Sequence, residues 1–520
     1  MKKAFCYIGI SLGIPALLSA GTTTPQKVKT LYNSLSPRSA AQHLAFYELY
    51  PNFPEGQQAL NEAWNLLAGS PNARKNYPKF LPPDISKSLS ALINLVNKLP
   101  GETPPQLTEE ELQFIELFAK RLPNRKLRGF KAASEQEVLQ LSAEEIDLTR
   151  GLLLSEIGES PDNMRKIRSY EATLDLMALQ ILINLSLHAP PKEKIRALNA
   201  FIFDEMRYRF PPHSVYAKNI DVYTFLPAVM DSRKGVCLGV SILYICLAQR
   251  LGLSLDLITP PGHIYVRYKD KTQEINIETT ARGIHLDSEE YLSMNTRSLQ
   301  VRNVKEVIGL AHFNQASVFW QQDDHEKALQ CYTKAEKYLP DDKLLKELMG
   351  YNYLMAGKLP QGEALLQEIY DHTPEQSVIK ETMAEDYLNG KIDVEGLKIV
   401  YQKVDEKRES ILKKKEELEN ILKKYPEFRA GLFSLAVAWF QLHREREALE
   451  LLQQYHRLFS EDPSAEYYLA VLYSQRMDYQ SSWKHLKNAE KIALKRNHHP
   501  RILKELRREI SQLFPEPILE

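Results

Sequence analysis

Cys237 is the residue whose type and surroundings best suit covalent chemistry. It follows Arg233-Lys234-Gly235-Val236 and stands at the first turn of a helix predicted over residues 238–250. A helix N-terminus carries roughly half a positive charge on its unpaired N–H groups, which favours the thiolate of a nearby cysteine. The same groups can bind the oxyanion that forms when a thiolate attacks a carbonyl. This position therefore predicts a nucleophile for acyl chemistry.

A cysteine nucleophile needs a base, and the base needs a group that orients it. His263 follows Pro261-Gly262 at the start of one predicted strand, and Glu278 lies in the next. If Asp270-Lys271 form a two-residue hairpin loop, His263 lies opposite Glu278 with Cβ atoms ~5 Å apart. A register shift of two residues would still leave both side chains on one face of the sheet. Cys237, His263 and Glu278 are thus a candidate catalytic triad.

Each member of the triad also has a structural interpretation. Cys237 could be an inert buried thiol, His263 a structural cap after Pro-Gly, and Glu278 the ion-pair partner of Arg267 or Arg282. Suitable residue types at three separate positions favour the catalytic interpretation over these alternatives.

The other thiols and a histidine pair are expected to be structural. Cys246 lies on the opposite face of the helix from Cys237 and about 13 Å along its axis, so the two cannot form a disulfide. Cys246 and Cys331 are predicted to be small buried hydrophobes. His498-His499 lack the spaced partners that a metal site needs. We expect neither a cofactor nor a metal ion.

One helix and three short strands must position the triad. Gly252 is expected to be the left-handed C-terminal cap of the helix. Beyond it the apolar period changes from 3.6 to 2, which predicts strands over residues 254–259, 263–268 and 273–279. Elsewhere the pattern is helical, including residues 164–187 and 192–206.

A repeat of 34 residues occupies the C-terminal part of the chain. This spacing separates Ala316 from Gly350, and Ala436 from Ala470. The pattern resembles tetratricopeptide (TPR) repeats, two-helix units with small residues where the helices touch. A less regular unit surrounds Ala384, and the charged run at 405–424 predicts a longer helix with a solvated face.

The stretch around the triad resembles the transglutaminase-like superfamily, and most closely its SirB-type branch, which pairs such a core with TPR repeats. The resemblance rests on Arg233-Lys234-Gly235-Val236-Cys237, Ser241-Ile242-Leu243, Arg250-Leu251-Gly252-Leu253, Pro261-Gly262-His263 and Ile275-Asn276-Ile277-Glu278-Thr279-Thr280.

The resemblance implies that Cys237 is the nucleophile, His263 the general base and acid, and Glu278 the acidic third member. Two departures stand out. The third member is usually Asp in this superfamily, and Glu is one methylene longer. The aromatic residue that often follows the histidine is not clear, although Tyr265 is near.

Composition and the N-terminus indicate a helical, exported protein. The 520 residues include 67 basic and 67 acidic side chains, so no basic excess points to nucleic acid. Glycine is scarce, at 21 residues. Lys2-Lys3, an apolar run and Leu18-Ser19-Ala20 form the three-part pattern of a secretory signal peptide. An uncleaved anchor is the alternative to export into the periplasm or the medium.

The sequence predicts a mainly α protein with a small α+β core. We expect a signal peptide at 1–20, a helical region at 21–165, a transglutaminase-like (papain-like) core at 166–303, a TPR α-solenoid at 304–492 and a capping helix at 493–520. No stable membrane span is expected after signal cleavage.

The leading functional hypothesis is thiol-dependent acyl transfer or amide hydrolysis on a protein or peptide, which the concave face of the TPR repeats would bind. The alternative is a catalytically inactive scaffold that acts as a protein-interaction adaptor. A third interpretation makes Cys237 a redox sensor that forms an intermolecular disulfide.

Overall fold

The structure is a computed structural model that describes residues 24–69, 100–102, 107–186, 188–211, 220–405 and 407–517. The predicted signal peptide lies outside the described residues, as do parts of the predicted helical N-terminal region. Within the described residues the chain is mainly helical with one small antiparallel sheet, as predicted. None of the described helices is both long and apolar enough to cross a bilayer.

Several of the helices before the sheet pack against one long helix. The described helices before the sheet are α1 (Pro25–Asn33), α2 (Ala40–Leu49), α3 (Pro54–Ala68), α4 (Glu109–Ala119), α5 (Glu135–Gln140), α6 (Leu148–Ile157), α7 (Pro161–Ile183), α8 (Pro191–Asn199), α9 (Leu226–Ser232) and α10 (Cys237–Arg250). The long helix, α7, contacts α3, α4, α6 and α10. It spans residue 165, so the N-terminal region and the core share this helix.

Helix α10 is the centre of the α+β core. Every residue in it except Cys237 and Gln249 is buried, as its nearly unbroken apolar sequence demands. It ends before Gly252, whose φ of 69° confirms the predicted left-handed cap. The helix predicted to reach residue 206 is α-helical only to Asn199 and continues as a π-helical turn, Ala200–Glu205.

The sheet has four strands in the order β3-β2-β1-β4, all antiparallel. They are β1 (Asp256–Thr259), β2 (Tyr265–Lys269), β3 (Glu274–Ile277) and β4 (Gln300–Arg302). The sequence did not predict β4, because three residues are too few to show a period. Its pairing with β1 joins residues far apart in the chain, Leu257 with Arg302.

Paired helices follow the sheet. They are α11 (Val304–Trp320), α12 (His325–Glu336), α13 (Lys343–Met355), α14 (Leu359–Ile369), α15 (Met383–Leu388), α16 (Val394–Tyr401), α17 (Arg408–Lys424), α18 (Arg429–Gln441), α19 (Glu445–Leu458), α20 (Pro463–Gln475), α21 (Tyr479–Lys495) and α22 (Arg501–Leu513). The closest pairs are α11 with α12, α13 with α14, α18 with α19, and α20 with α21.

Small residues stand where the paired helices touch. A Cβ atom on Gly350 would lie 3.0 Å from Leu366 Cδ2, and one on Gly362 would lie 2.5 Å from Leu354 Cδ2. Ala436 and Ala470 are fully buried. The 34-residue spacing therefore marks the positions at which close packing excludes a larger side chain.

The core and the first helix pairs form one hydrophobic interior. A single cluster of buried apolar residues runs from Ala40 to Phe428. Ile308 of α11 is fully buried and would lie 2.7 Å from a Cβ placed on Gly151 of α6. The solenoid is therefore packed into the core rather than attached by a linker.

Candidate active site

Cys237 is the first residue of α10. Val236 precedes it in extended conformation, and no side chain caps this helix start. The first helical hydrogen bond runs from Val240 N to Val236 O, 3.0 Å. The N–H groups of the three residues before Val240 thus have no acceptor within the helix, which leaves them available to an anion beside the Cys237 thiol.

The backbone before Cys237 is held against neighbouring segments. Arg209 N donates to Arg233 O at 3.1 Å, Gly235 N donates to Arg209 O at 3.1 Å, and Val236 N donates to Tyr223 O at 3.2 Å. These bonds fix the direction in which α10 begins, because they hold the chain at three points just before the helix.

Glycines at 235 and 239 allow a close approach. A Cβ atom on Gly239 would lie 2.1 Å from Tyr223 O, and one on Gly235 would lie 2.6 Å from Val240 Cγ2. The left-handed residue before the helix is Arg233, with φ of 53°, and not Gly235. The requirement for Gly235 is therefore space beside Val240.

His263 and Glu278 meet, although the assumed hairpin loop is wrong. The register pairs Lys269 with Glu274 and Val266 with Ile277, so the loop has four residues, 270–273, instead of two. Asp270 stabilises it by accepting hydrogen bonds from the N–H groups of Thr272 and Gln273. The pairing shifts by two residues, the case in which both side chains stay on one face.

The imidazole of His263 and the carboxylate of Glu278 form a short hydrogen bond. His263 precedes β2, after Gly262 with φ of 72°, and Glu278 follows β3. His263 Nε2 lies 2.6 Å from Glu278 Oε2. Cys237 lines the same cleft as His263 and helps to raise the pKa of its ring, so the imidazole interacts with both the thiol and the carboxylate. The structure thus brings all three predicted site residues together.

Glu278 is buried, with 4% of its surface exposed, and its carboxylate is fully engaged. Besides the bond to His263, Oε2 accepts a hydrogen bond from the Tyr291 hydroxyl at 2.7 Å. Oε1 accepts one from Thr280 N at 3.0 Å and one from Thr280 Oγ1 at 2.6 Å. Four donors therefore fix its orientation. The structural interpretation made Glu278 the ion-pair partner of Arg267 or Arg282, but its carboxylate is bonded to His263.

Tyr291 is a site residue that sequence reasoning missed. Its ring stacks on His263, with centroids 5.7 Å apart, and on Tyr265, with centroids 4.6 Å apart. Tyr265 in turn accepts a hydrogen bond from Arg267. The aromatic side chain that supports the histidine therefore comes from a later segment with no regular period, and no local signal marked it.

Thr279 ties the strand end to the helix that carries Cys237. Its hydroxyl lies 3.1 Å from Ser241 Oγ and donates to Cys237 O at 3.5 Å. Because Thr279 is adjacent to Glu278, these bonds fix the carboxylate relative to the start of α10.

The pKa values of His263 and Glu278 move apart. The Cys237 thiol and the Glu278 carboxylate beside its ring raise the pKa of His263 to about 10, against the opposing effect of burial. Burial raises the pKa of Glu278, but hydrogen bonds from His263, Thr280 and Tyr291 outweigh it and lower that pKa to about 2. An imidazolium beside a carboxylate is therefore the favoured state at neutral pH.

The other cysteines lie in apolar surroundings. Burial raises the pKa of Cys246 to about 12 and that of Cys331 to about 11. Cys246 is fully buried, whereas Cys331 is partly exposed. Raised pKa values disfavour the thiolate, so both thiols are poor nucleophiles.

Cys237 and His263 open into a cleft of about 1170 Å³. Residues of the core line it together with residues of the first repeats, among them Lys343, Glu347 and His372. Burial raises the pKa of Glu347 to about 7. A substrate in this cleft would contact the solenoid and the candidate triad at the same time.

Residues 168–313 match the sequence model of the transglutaminase-like superfamily, and this stretch includes Cys237, His263 and Glu278. The chain therefore contains a transglutaminase-like domain. No curated protein matches the chain.

Solved structures of TPR and related proteins align with part of the chain. MamA from Desulfovibrio magneticus RS-1 is 15% identical and covers 36% of this chain and 97% of its own, with a TM-score of 0.18. TTC0263, a thermophilic TPR protein from Thermus thermophilus, is 16% identical and covers 39% of this chain and 97% of its own, with a TM-score of 0.20.

Proposed function

We propose that the chain is an exported, SirB-type transglutaminase-like protein that transfers or hydrolyses acyl groups of a protein or peptide through Cys237. The observation that carries the proposal is the hydrogen bond between His263 and Glu278 beside Cys237, which begins an uncapped helix. Nucleophile, base and orienting group stand in the order that thiol catalysis requires.

The reaction would begin from the Cys237 thiolate and the His263 imidazolium. The thiolate attacks the carbonyl carbon of an amide, and the N–H groups at the start of α10 stabilise the resulting oxyanion. As the C=O bond re-forms and the C–N bond breaks, His263 gives its proton to the leaving amine. This leaves a thioester on Cys237 and a neutral imidazole held by Glu278.

Water or an amine would complete the cycle. It gives a proton to His263 as it attacks the thioester, and the C–S bond then breaks to return the thiolate and the imidazolium. Water as the acceptor makes the protein an amidohydrolase, and an amine makes it a transferase. The solenoid would hold the protein or peptide through the cleft wall that it shares with the triad.

The alkylation rate of Cys237 tests the catalytic proposal. The protein lacking residues 1–20, with Cys246→Ser and Cys331→Ser, would be treated with iodoacetamide across a range of pH. We expect fast alkylation at Cys237 and a rate at least tenfold lower in His263→Ala, because the imidazolium that stabilises the thiolate is lost. His188→Ala, which removes an exposed histidine elsewhere, should keep the original rate.

An alkylation rate that is the same with and without His263 would contradict catalysis. The adaptor hypothesis would then stand, and partner capture that survives Cys237→Ala but fails on substitution of Lys343 and Glu347 would support it. Dimers on non-reducing gels that disappear in Cys237→Ser would point instead to the redox sensor.

Export has a separate test. The full chain expressed in a bacterial host should be recovered outside the cytoplasm with the mass of a protein beginning at Gly21. A membrane-bound product that still carries residues 1–20 would contradict cleavage and support the anchor.

A further inference from the structure

Three potential metal ligands converge in the second half of the solenoid. We propose that His456, Glu466 and His485 bind a divalent transition-metal ion, with Zn²⁺ as the first probe. His456 lies in the last turn of α19, Glu466 in the first turn of α20, and His485 within α21. This site is independent of the proposed acyl chemistry.

The ligand atoms are already close to the spacing that a metal ion requires. His485 Nδ1 lies 2.6 Å from Glu466 Oε2, and His456 Nδ1 lies 3.5 Å from Glu466 Oε1. One ligand atom can be taken from each of the three residues so that all three atoms lie within 4.8 Å of one another. Zn²⁺ binds nitrogen and oxygen ligands at about 2.0–2.2 Å in tetrahedral geometry, which places ligands roughly 3.4 Å from one another. Small side-chain movements would meet that spacing.

An unsatisfied atom points to a missing partner. His456 Nδ1 is buried and makes no hydrogen bond. Buried polar atoms are nearly always paired, and an unpaired histidine nitrogen 3.5 Å from a buried carboxylate oxygen is an atom that a metal ion could bind. The His456 side chain as a whole is 27% exposed, which gives an ion a path from solvent.

Glu466 has the surroundings of a metal-bound carboxylate. It is 1% exposed, and its ion-pair partners within the described part of the chain are the two histidines rather than a lysine or an arginine. A buried carboxylate without a permanent cation is costly, and a divalent ion would supply the missing charge. Asn488 Nδ2 donates to Glu466 Oε1 at 3.2 Å and so helps to orient it.

His485 is also held in place. Its ring stacks on Tyr473, with centroids 5.4 Å apart and 4° between the planes. Gln453 Nε2 donates to the Tyr473 hydroxyl at 2.6 Å. Such outer contacts fix the orientation of ligating side chains in metal sites. An ion bound here would join helices from two successive repeats, because His456 belongs to the pair α18–α19 and the other two ligands to α20–α21.

Zn²⁺ binding to the metal-stripped mature protein tests the site. Cys237→Ser is included in every sample, since a thiolate beside His263 could itself hold zinc. We expect one Zn²⁺ per chain by calorimetry and a higher Tm with Zn²⁺. His456→Ala should fold, because this side chain is partly exposed, but lose at least tenfold in affinity together with the Tm increase. His499→Ala, which removes an exposed histidine outside the cluster, should behave as the parent.

Two results would overturn the proposal. One is the absence of Zn²⁺ binding and of any Tm change in a protein whose circular dichroism shows it to be folded. The other is equal Zn²⁺ affinity in the parent and in His456→Ala. In either case Glu466 and His485 would form only a buried hydrogen bond between helices.

Discussion

At the scale of single residues, Glu278 organises the candidate site. Four donors hold its carboxylate, and it in turn holds the ring that faces Cys237. Glu278 lies just beyond the end of β3, and from there its carboxylate reaches the ring of His263.

The stabilisation from His263 and Glu278 should depend on pH. The pKa of His263 is raised from 6.5, so its contribution is complete below about 6.5 and is lost as pH rises through about 10. The pKa of Glu278 is lowered from 4.5, so its contribution is present above about 4.5 and is lost as pH falls through about 2. The loss of unfolding free energy in His263→Gln should therefore be largest between about pH 4.5 and 6.5.

Urea unfolding of the parent and of His263→Gln from pH 3 to 10 would measure this difference. The unfolding free energies of the parent and of His263→Gln should therefore converge from pH 7 to pH 10. A difference between them that increases over this range would be inconsistent with the raised pKa of His263. NMR of the imidazole should show the same pKa, and Glu278→Gln should lower it.

Tyr291→Phe should weaken the site without unfolding the protein. It removes one hydrogen bond to a charged carboxylate, worth about 1.5 kcal/mol, while the ring stack on His263 remains. We expect roughly a tenfold fall in the alkylation rate of Cys237, which corresponds to that energy. Tyr268→Phe removes a comparable hydroxyl–carboxylate bond, from β2 to Asp270 of the hairpin loop, and should have no effect. Equal rates for Tyr291→Phe and the parent would exclude Tyr291 as a positioning residue.

At the scale of elements, the site depends on how closely the start of α10 approaches its neighbours. Gly239→Ala normally stabilises a helix interior by about 1 kcal/mol. Here the new Cβ would lie 2.1 Å from the backbone oxygen of Tyr223, so that segment must move.

We expect Gly239→Ala to lower the unfolding free energy by about 1–3 kcal/mol and to slow alkylation, because α10 carries Cys237 with it. Thermal unfolding and the alkylation rate measure the two effects. An increase in Tm would show that helix propensity outweighs the contact with Tyr223.

At the scale of the whole molecule, the transglutaminase-like domain and the solenoid are one packing unit. Arg302 of β4 forms a buried ion pair with Asp342, which immediately precedes α13. The hydrophobic cluster around α10 continues into the helices after residue 303. The cleft beside Cys237 exists only when both parts are present.

Truncation after residue 303 should therefore prevent cooperative folding. Removal of α11 would expose the apolar surface around Gly151 and leave Arg302 without its carboxylate. We expect aggregation or a non-cooperative thermal transition, measured by calorimetry on residues 21–303 beside residues 21–520. A sharp transition and normal alkylation of Cys237 in the fragment would show that the core folds independently.

Features that local patterns encode could be predicted from the amino-acid chain alone. The period of 3.6 in α10 and the switch to a period of 2 after Gly252 indicated the elements of the core, and the 34-residue spacing indicated the paired helices. Cys237 at a helix start, His263 after Pro-Gly and Glu278 near a strand end were visible because each is marked by its immediate neighbours.

Which distant residues meet became known only from the three-dimensional fold. The two-residue shift of the hairpin is accompanied by side-chain hydrogen bonds of Asp270, and the contacts of Tyr291 with His263 and Glu278 join segments without a shared period. The cluster of His456, Glu466 and His485 comes from three helices. Such contacts join single positions on separate elements, and unlike the small residues of the 34-residue repeat these positions do not recur at a regular spacing.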